Sequence, residues 1–166
     1  MNPALGAHAE DVAALRGDFG GSVWTVSFDL RLNSGTFDDV MLRFRYQDFG
    51  FNGWSYDFDE VLGQYGVWHT LSVTFDADWT DDEAIAAGWV QAPLAAVGFA
   101  QTMSNVYWTE VRLEMPADAS FGSANLDNFR LQRVPEPGSM ALALGALGAL
   151  VTAGGTGAAV RRRRVA

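Results

Sequence analysis

The fold is decided by residues 23–32, which read VWTVSFDLRL. Apolar residues stand at the even positions from Trp24 to Leu32, and the residues between them are polar. This period of two is typical of a β-strand that buries one face. The same alternation recurs with its apolar members at Val40, Leu42, Phe44 and Tyr46, at Leu71, Val73 and Phe75, at Val111, Leu113 and Met115, and at Phe129 and Leu131. Residues 97–101 form a further, less regular strand candidate.

One short helix is predicted between these strands. Thr80 followed by Glu83 forms a capping box, and Asp81 and Asp82 suit the positive end of a helix dipole. Gly88 can end the helix, because glycine adopts the left-handed conformation that follows many helices. Many short amphipathic strands with a single helix predict an all-β fold, an antiparallel β-sandwich of jelly-roll type.

Composition and charge exclude several classes of protein. The 166 residues include 20 acidic and 11 basic residues, no cysteine and two histidines, and the formal net charge is −9. Residues 1–134 hold 19 of the acids and 7 arginines, a formal charge of −12. A body this acidic repels phosphate backbones, so no nucleic-acid partner is expected. The missing cysteines exclude disulfides, thiolate nucleophiles and cysteine-ligated metals.

The C-terminal region differs sharply from the rest of the chain. Residues 140–160 read MALALGALGALVTAGGTGAAV, with no charged residue. As a helix this run would be about 31 Å long, close to the hydrocarbon thickness of a bilayer. Four consecutive arginines, Arg161, Arg162, Arg163 and Arg164, follow it and are predicted to act as a stop-transfer signal. Because such positive charge stays cytoplasmic, residues 1–134 are expected outside the membrane.

These features divide the chain into five parts. They are an N-terminal segment at 1–14, a β-sandwich at 15–133, a linker at 134–139, a transmembrane helix at 140–160 and a basic cytoplasmic tail at 161–166. Residues 1–20 lack the basic start and the apolar run of a signal peptide, although an exported domain needs one. Three explanations for the missing signal peptide are left open. The start site could be placed too late, a natural signal could have been trimmed, or the C-terminal tail alone could insert the protein.

The linker carries the motif Pro135-Glu136-Pro137, which two prolines make stiff and extended. This motif, the apolar run and the arginine run, in that order, resemble the PEP-CTERM protein-sorting signal of Gram-negative bacteria. The resemblance covers residues 134–166. It implies export, a membrane-anchored precursor, and cleavage near the motif by an exosortase-type sorting protease. It also implies a place at the cell surface or in the extracellular matrix, in association with extracellular polysaccharide and biofilm.

A second resemblance covers residues 15–133. Five segments of this region resemble, in the same order, parts of a laminin IV type A (laminin B) module. They are residues 20–30, residues 68–73, Trp79, residues 111–114 and the closing Leu126-Asp127-Asn128-Phe129. Similar endings occur in carbohydrate-binding jelly rolls. The resemblance implies a domain without enzymatic activity.

An aromatic-rich stretch, residues 46–58, offers the best ligand-site candidate. Aromatic faces stack on sugar rings, and neighbouring carboxylate and amide groups bind hydroxyls. The candidate sugar-binding residues are Phe51, Asn52, Trp54, Tyr56 and Asp57. The alternative is a hairpin whose aromatic residues are mostly buried.

Clusters of acidic residues are further candidates for a metal site or a catalytic site. Alternating carboxylates suit Ca²⁺, so a structural calcium ion is the alternative to the expectation of no cofactor. Paired carboxylates such as Asp57, Asp59 and Glu60 could instead serve a glycan hydrolase or lyase. No catalytic or metal-ligating residue is assigned. The sequence favours an exported, non-catalytic binding or structural protein that associates with polysaccharide.

Overall fold

The computed structural model describes residues 4–9, 13–46, 52–93, 97–119 and 121–135. Within them the chain forms eight strands and two short α-helices, with 3₁₀ turns at Ala13–Leu15 and Asp59–Val61. The strands are β1 (Ala4–Ala9), β2 (Val23–Ser34), β3 (Asp39–Tyr46), β4 (Gly53–Asp57), β5 (His69–Asp76), β6 (Trp89–Gln91), β7 (Val106–Glu114) and β8 (Ser123–Arg133). The helices are α1 (Asp81–Ala86) and α2 (Phe99–Met103).

The described strands form two antiparallel sheets. One has the order β1-β7-β3-β4-β6 and the other the order β5-β2-β8. The alternating segments of the sequence supply the central strands β2, β3 and β7, so the prediction of an antiparallel all-β sandwich is confirmed. The strands β1 and β6 were not predicted, whereas β4 pairs with β3 as in the hairpin alternative for residues 46–58.

The core lies between the two sheets because each strand turns its apolar residues inward. In β2 the residues from Val26 to Leu32 alternate between buried and half-buried. Phe44 of β3 and Phe75 of β5 are both fully buried, and their ring centroids lie 5.3 Å apart across the sandwich. Burying one such side chain contributes about 2 kcal/mol, so this interface supplies much of the stability.

A β-bulge in β8 allows Leu126 and Phe129 to face the core although they are three residues apart. Ser27 pairs with Arg130 and Asp29 pairs with Asp127, so two residues of β8 lie opposite Phe28. Asn128 takes up the extra length at φ 52°, in the left-handed region that asparagine tolerates. Its side-chain amide donates to Asp29 Oδ2 at 2.6 Å.

The helices give one confirmation and one correction. The Thr80–Glu83 capping box is present at the start of α1, as predicted. Residues 97–101 do not form a strand, because α2 begins at Phe99 after the N-cap Gly98. The Phe99 N–H donates to Asp81 Oδ1 at 2.7 Å, which satisfies a helix-end donor.

The chain separates into two compact units, Met1–Val134 and Pro135–Ala166. In the first unit, β1 lies within the predicted N-terminal segment and pairs with β7. Backbone pairing continues to Val134, whose N–H donates to Val23 O at 2.8 Å. Neither described helix has the length and apolar character that crossing a membrane requires. The predicted span at 140–160 lies outside the described residues.

The bulge gives a stability prediction. Asn128→Val should lower the free energy of unfolding by about 2 kcal/mol, because a β-branched residue is strained at positive φ. Asn128→Gly accepts the backbone angle and loses the hydrogen bond to Asp29, so we expect a loss of about 1 kcal/mol. Urea denaturation of the full chain, monitored by tryptophan fluorescence, measures the free energy of unfolding of both variants. Equal stability of the valine variant and the natural chain would contradict the account of the bulge.

Candidate functional site

A groove of about 370 Å³ lies on the outer face of the five-stranded sheet, across β7, β3, β4 and β6. We call it the sheet groove. Its lining includes the outward-facing side chains Met41, Arg43, Ser55, Val90, Arg112 and Glu114, together with Asn52, Gln91 and Pro93. Its volume is within the range that small-molecule sites occupy.

Strand register brings the charged residues of the sheet groove together. Arg43 on β3 lies opposite Glu110 on β7 and opposite Ser55 on β4. Directly opposed side chains on one sheet face are near neighbours, which favours the pairing of opposite charges. Arg45, two residues along the same face, lies opposite Trp108 and places its guanidinium 4.6 Å from the Trp108 ring centroid.

The result is a connected network of ion pairs. Arg43 Nη1 lies 3.6 Å from Glu110 Oε2, Arg112 Nη1 lies 3.9 Å from Glu110 Oε1, and Arg112 Nε lies 2.8 Å from Glu114 Oε1. The side chains of Arg43 and Glu110 are only 12% and 10% exposed. Burial lowers the pKa of the Arg43 guanidinium, and the charge of Glu110 opposes that shift. The network therefore fixes donors and acceptors in place beside the groove.

Two buried acceptors in this region have no hydrogen-bond partner among the described residues. They are Asn52 Oδ1 and Glu110 Oε2, and the second of these lies 3.6 Å from Arg43 Nη1. Asn52 is positioned by Gly53, where φ is 123° and an added Cβ would collide with the carbonyl oxygen of Phe44. Buried polar groups are normally satisfied, so each of these atoms is suited to accept a hydrogen bond from a ligand or water.

Apolar groups border the polar ones. Met41, Val90 and Pro93 line the groove, and Val90 is 51% exposed. The Gln91 amide donates to Val97 O at 2.9 Å, which holds β6 against the following segment. The groove thus combines fixed hydrogen-bonding groups with small apolar surfaces.

The structure corrects the role predicted for the aromatic residues of β4. Trp54 is 2% exposed, its indole N–H donates to Val97 O at 2.9 Å, and its ring packs edge-on against Phe99. The prediction that Trp54 stacks on a sugar is therefore wrong, since its ring lies in the core. Tyr56 also packs inward, with its ring against Phe58 and Trp89.

The other predicted site residues are distributed unevenly. Asn52 lines the sheet groove, whereas Asp57 lies at the exposed end of β4 opposite Met41. Phe51 lies outside the described residues. Of the sorting motif, Pro135 is described and exposed. Glu136, Pro137 and the arginines Arg161, Arg162, Arg163 and Arg164 lie outside the described part of the chain.

The acidic residues show two different settings. Partial burial of the carboxyl raises the pKa of Asp57, and the charges of Asp59, Asp39 and Glu114 raise it further. Asp78 instead serves the fold by accepting from the Gly21 N–H at 3.0 Å. No group of three or more His, Cys, Asp or Glu side chains within the described residues could hold a metal ion. Calcium binding stays a prediction.

Sequence reasoning missed the charged network itself. In the sequence, its members occupy the polar positions of ordinary amphipathic strands, which are usually exposed to solvent. These members are Arg43, Glu110, Arg112 and Glu114. The available signal was the presence of Arg43 and Arg45 in one alternating segment and of Glu110 and Glu114 in another, which favours the pairing of these segments as neighbours.

Comparisons of the chain with protein-family models, with curated proteins and with solved structures find no match.

The raised pKa of Asp57 gives a pH prediction. The folded state holds this proton more tightly than the unfolded chain, so ionisation of Asp57 costs stability once the pH rises above its ordinary pKa of 3.8. Asp57→Asn should stabilise the chain at about pH 7, and the gain should vanish at about pH 3, where the carboxyl is protonated in both states. Urea denaturation at the two pH values measures the difference.

Asp118→Asn is the control for this experiment, because it makes the same change of net charge in an exposed loop away from β4. A stabilisation by Asp57→Asn that is equal at both pH values, or that Asp118→Asn reproduces, would contradict the assignment.

Proposed function

We propose that this chain is an exported β-sandwich protein that binds polysaccharide in the sheet groove without catalysing a reaction. The observation that carries the proposal is the set of fixed donors and acceptors that line the groove, among which Asn52 Oδ1 lacks a hydrogen-bond partner within the described residues. The jelly-roll form of the sandwich belongs to the same proposal. Cell-surface or extracellular-matrix localisation follows from the C-terminal signal.

Sugar chemistry suits this lining. Each hydroxyl of a sugar both donates and accepts a hydrogen bond, so a binding site needs both kinds of group in fixed positions. The N–H groups of Arg43 and Arg112 supply donors, and Glu114 and Asn52 supply acceptors. Met41 and Val90 offer apolar surface to the C–H faces of a sugar ring. A ligand that satisfies the buried acceptors removes a cost that the free protein carries.

The arrangement favours binding over catalysis. Glycoside hydrolysis needs one carboxylic acid that donates a proton and a second carboxylate that acts as base or nucleophile. Arg112 is paired with both Glu110 and Glu114, at 3.9 and 2.8 Å. Both glutamates are therefore engaged in ion pairs with the same arginine, which suits groups that accept hydrogen bonds from hydroxyls.

The alternative is a glycan hydrolase or lyase that uses paired carboxylates. It is favoured by the raised pKa of Asp57 beside Asp59, because a general acid at neutral pH needs such a shift. It predicts the release of reducing ends or unsaturated sugars from a polysaccharide and the loss of that activity in Asp57→Asn.

The proposed sorting rests on the linker and the tail. Backbone pairing in the body reaches Val134, and the Pro135-Glu136-Pro137 motif follows directly, where a protease could recognise it. The apolar run at 140–160 would then cross the inner membrane as a single helix, with the body outside and Arg161–Arg164 inside. An exosortase-type protease is the proposed partner that processes this precursor.

Binding is tested by affinity electrophoresis through gels that contain one polysaccharide each. The full chain is kept in a polyoxyethylene detergent, which carries no sugar. We expect retardation by at least one polysaccharide, and Arg43→Gln or Asn52→Ala should weaken it about tenfold, since each removes hydrogen bonds to the ligand.

Arg130→Gln is the matched control, because Arg130 is exposed on the other sheet. Urea denaturation shows that each variant is folded. The binding proposal fails if no polysaccharide retards the chain, or if Arg43→Gln and Arg130→Gln behave alike. Assays for released sugars decide the enzymatic alternative.

Sorting is tested by replacing Pro135, Glu136 and Pro137 together with alanine in a host that makes an exosortase-type protease. The variant should accumulate as an unprocessed, membrane-bound precursor, whereas Pro116→Ala, which changes a proline inside the body, should be processed normally. Mass spectrometry of cell-surface material identifies the C-terminus. An intact C-terminus in the mature natural protein would refute the sorting proposal.

A further inference from the structure

The arginines of the sheet groove already have anionic partners. Arg112 is shared between Glu110 and Glu114, with contacts of 3.9 and 2.8 Å, and Arg43 contacts Glu110 at 3.6 Å. A carboxylate or sulfate on a ligand is usually bound by an arginine fork that is free to form two parallel hydrogen bonds. Here an anionic group would compete with Glu110 and Glu114 for the arginine N–H groups.

The surroundings of the groove add negative charge. Asp39 lies opposite Glu114 in the register of β3 and β7, and Asp57 lies opposite Met41. Burial raises the pKa of Asp39, and the charges of Asp59, Glu114 and Asp38 raise it further, so this end of the groove already opposes added anions. The whole body carries a formal charge of −12, which repels a polyanion at longer range.

The groups that remain available suit hydroxyls. Ser55 and Gln91 line the groove, and Asn52 Oδ1 is a neutral acceptor that a sugar hydroxyl can satisfy. Met41 and Val90 add apolar surface. Such a mixture of neutral donors, acceptors and short apolar side chains suits the hydroxyls and C–H faces of an uncharged sugar.

We propose that the sheet groove selects an uncharged polysaccharide and discriminates against acidic ones, an inference that rests on the proposed binding function and deepens it. Specificity arises because the groove arginines are already paired with glutamates, and because Glu114 and the neighbouring Asp39 repel carboxylates. The net negative charge of residues 1–134 also repels acidic polysaccharides.

The test uses matched pairs of polymers that differ only in charge. The neutral members are dextran, galactomannan and a mixed-linkage β-glucan, and each is compared with its carboxymethyl derivative by affinity electrophoresis of the full chain. We expect binding to at least one neutral polymer and at least about tenfold weaker binding to its carboxymethyl form. Raising the salt from about 0.05 M to about 0.5 M should narrow this ratio by screening the repulsion and should leave neutral binding unchanged.

Glu114→Gln tests the origin of the discrimination at the groove. The variant keeps the size of the side chain and leaves Arg112 with one anionic partner fewer, so it should improve binding of the carboxymethyl polymer about fivefold. Asp82→Asn is the control with the same change of net charge, because Asp82 is exposed on α1 outside the groove lining. It should leave the ratio of neutral to carboxymethyl binding nearly unchanged.

The outcomes separate the inference from the function on which it rests. Equal or tighter binding of a carboxymethyl polymer would overturn the choice of an uncharged ligand and would keep the binding function. If Glu114→Gln and Asp82→Asn change the ratio of neutral to carboxymethyl binding equally, only the overall charge of the protein discriminates between the polymers. That result would overturn the role of the groove in specificity. Failure of every polymer, neutral or charged, would reject the binding function itself.

Discussion

The contact of Phe44 with Phe75 across the two sheets is the interaction on which the rest of the molecule depends. Phe44 is fully buried, and its ring also packs against Phe19 and Trp89. Because successive residues of a strand face opposite sides, committing Phe44 to the core commits Arg43 and Arg45 to the outer face. The position of the charged network is therefore a consequence of the packing of the core.

The fold could be predicted where the signal is local. Alternation in β2 and β3 and the Thr80 capping box each involve a few consecutive residues, and each is confirmed. Strand β6 has only three residues, too few to show a period. The error at residues 97–101 has a different cause, because α2 is set by Gly98 and by Asp81, a residue distant in sequence.

The candidate site was only partly predictable, since it depends on register between strands. Within β4, alternation alone places Trp54 and Tyr56 on one face and Ser55 and Asp57 on the other. The aromatic residues that suggested a ligand site lie on the buried face of β4, whereas the groove lies over the outer face, which carries Ser55. The meeting of Arg43 with Glu110 requires the pairing of β3 with β7, which no short stretch of sequence specifies.

The cost of the charged network argues for a role beyond folding. Partly buried ion pairs recover little more than their desolvation penalty, and well-packed apolar residues of similar size are often as stable. Arg43 and Glu110 thus give the sheet little that apolar residues would not give. Asn52 Oδ1, buried without a hydrogen-bond partner among the described residues, adds a further cost. Both penalties lie on the outer face of strands whose opposite face supplies the core, and this supports the proposal that the groove holds a ligand.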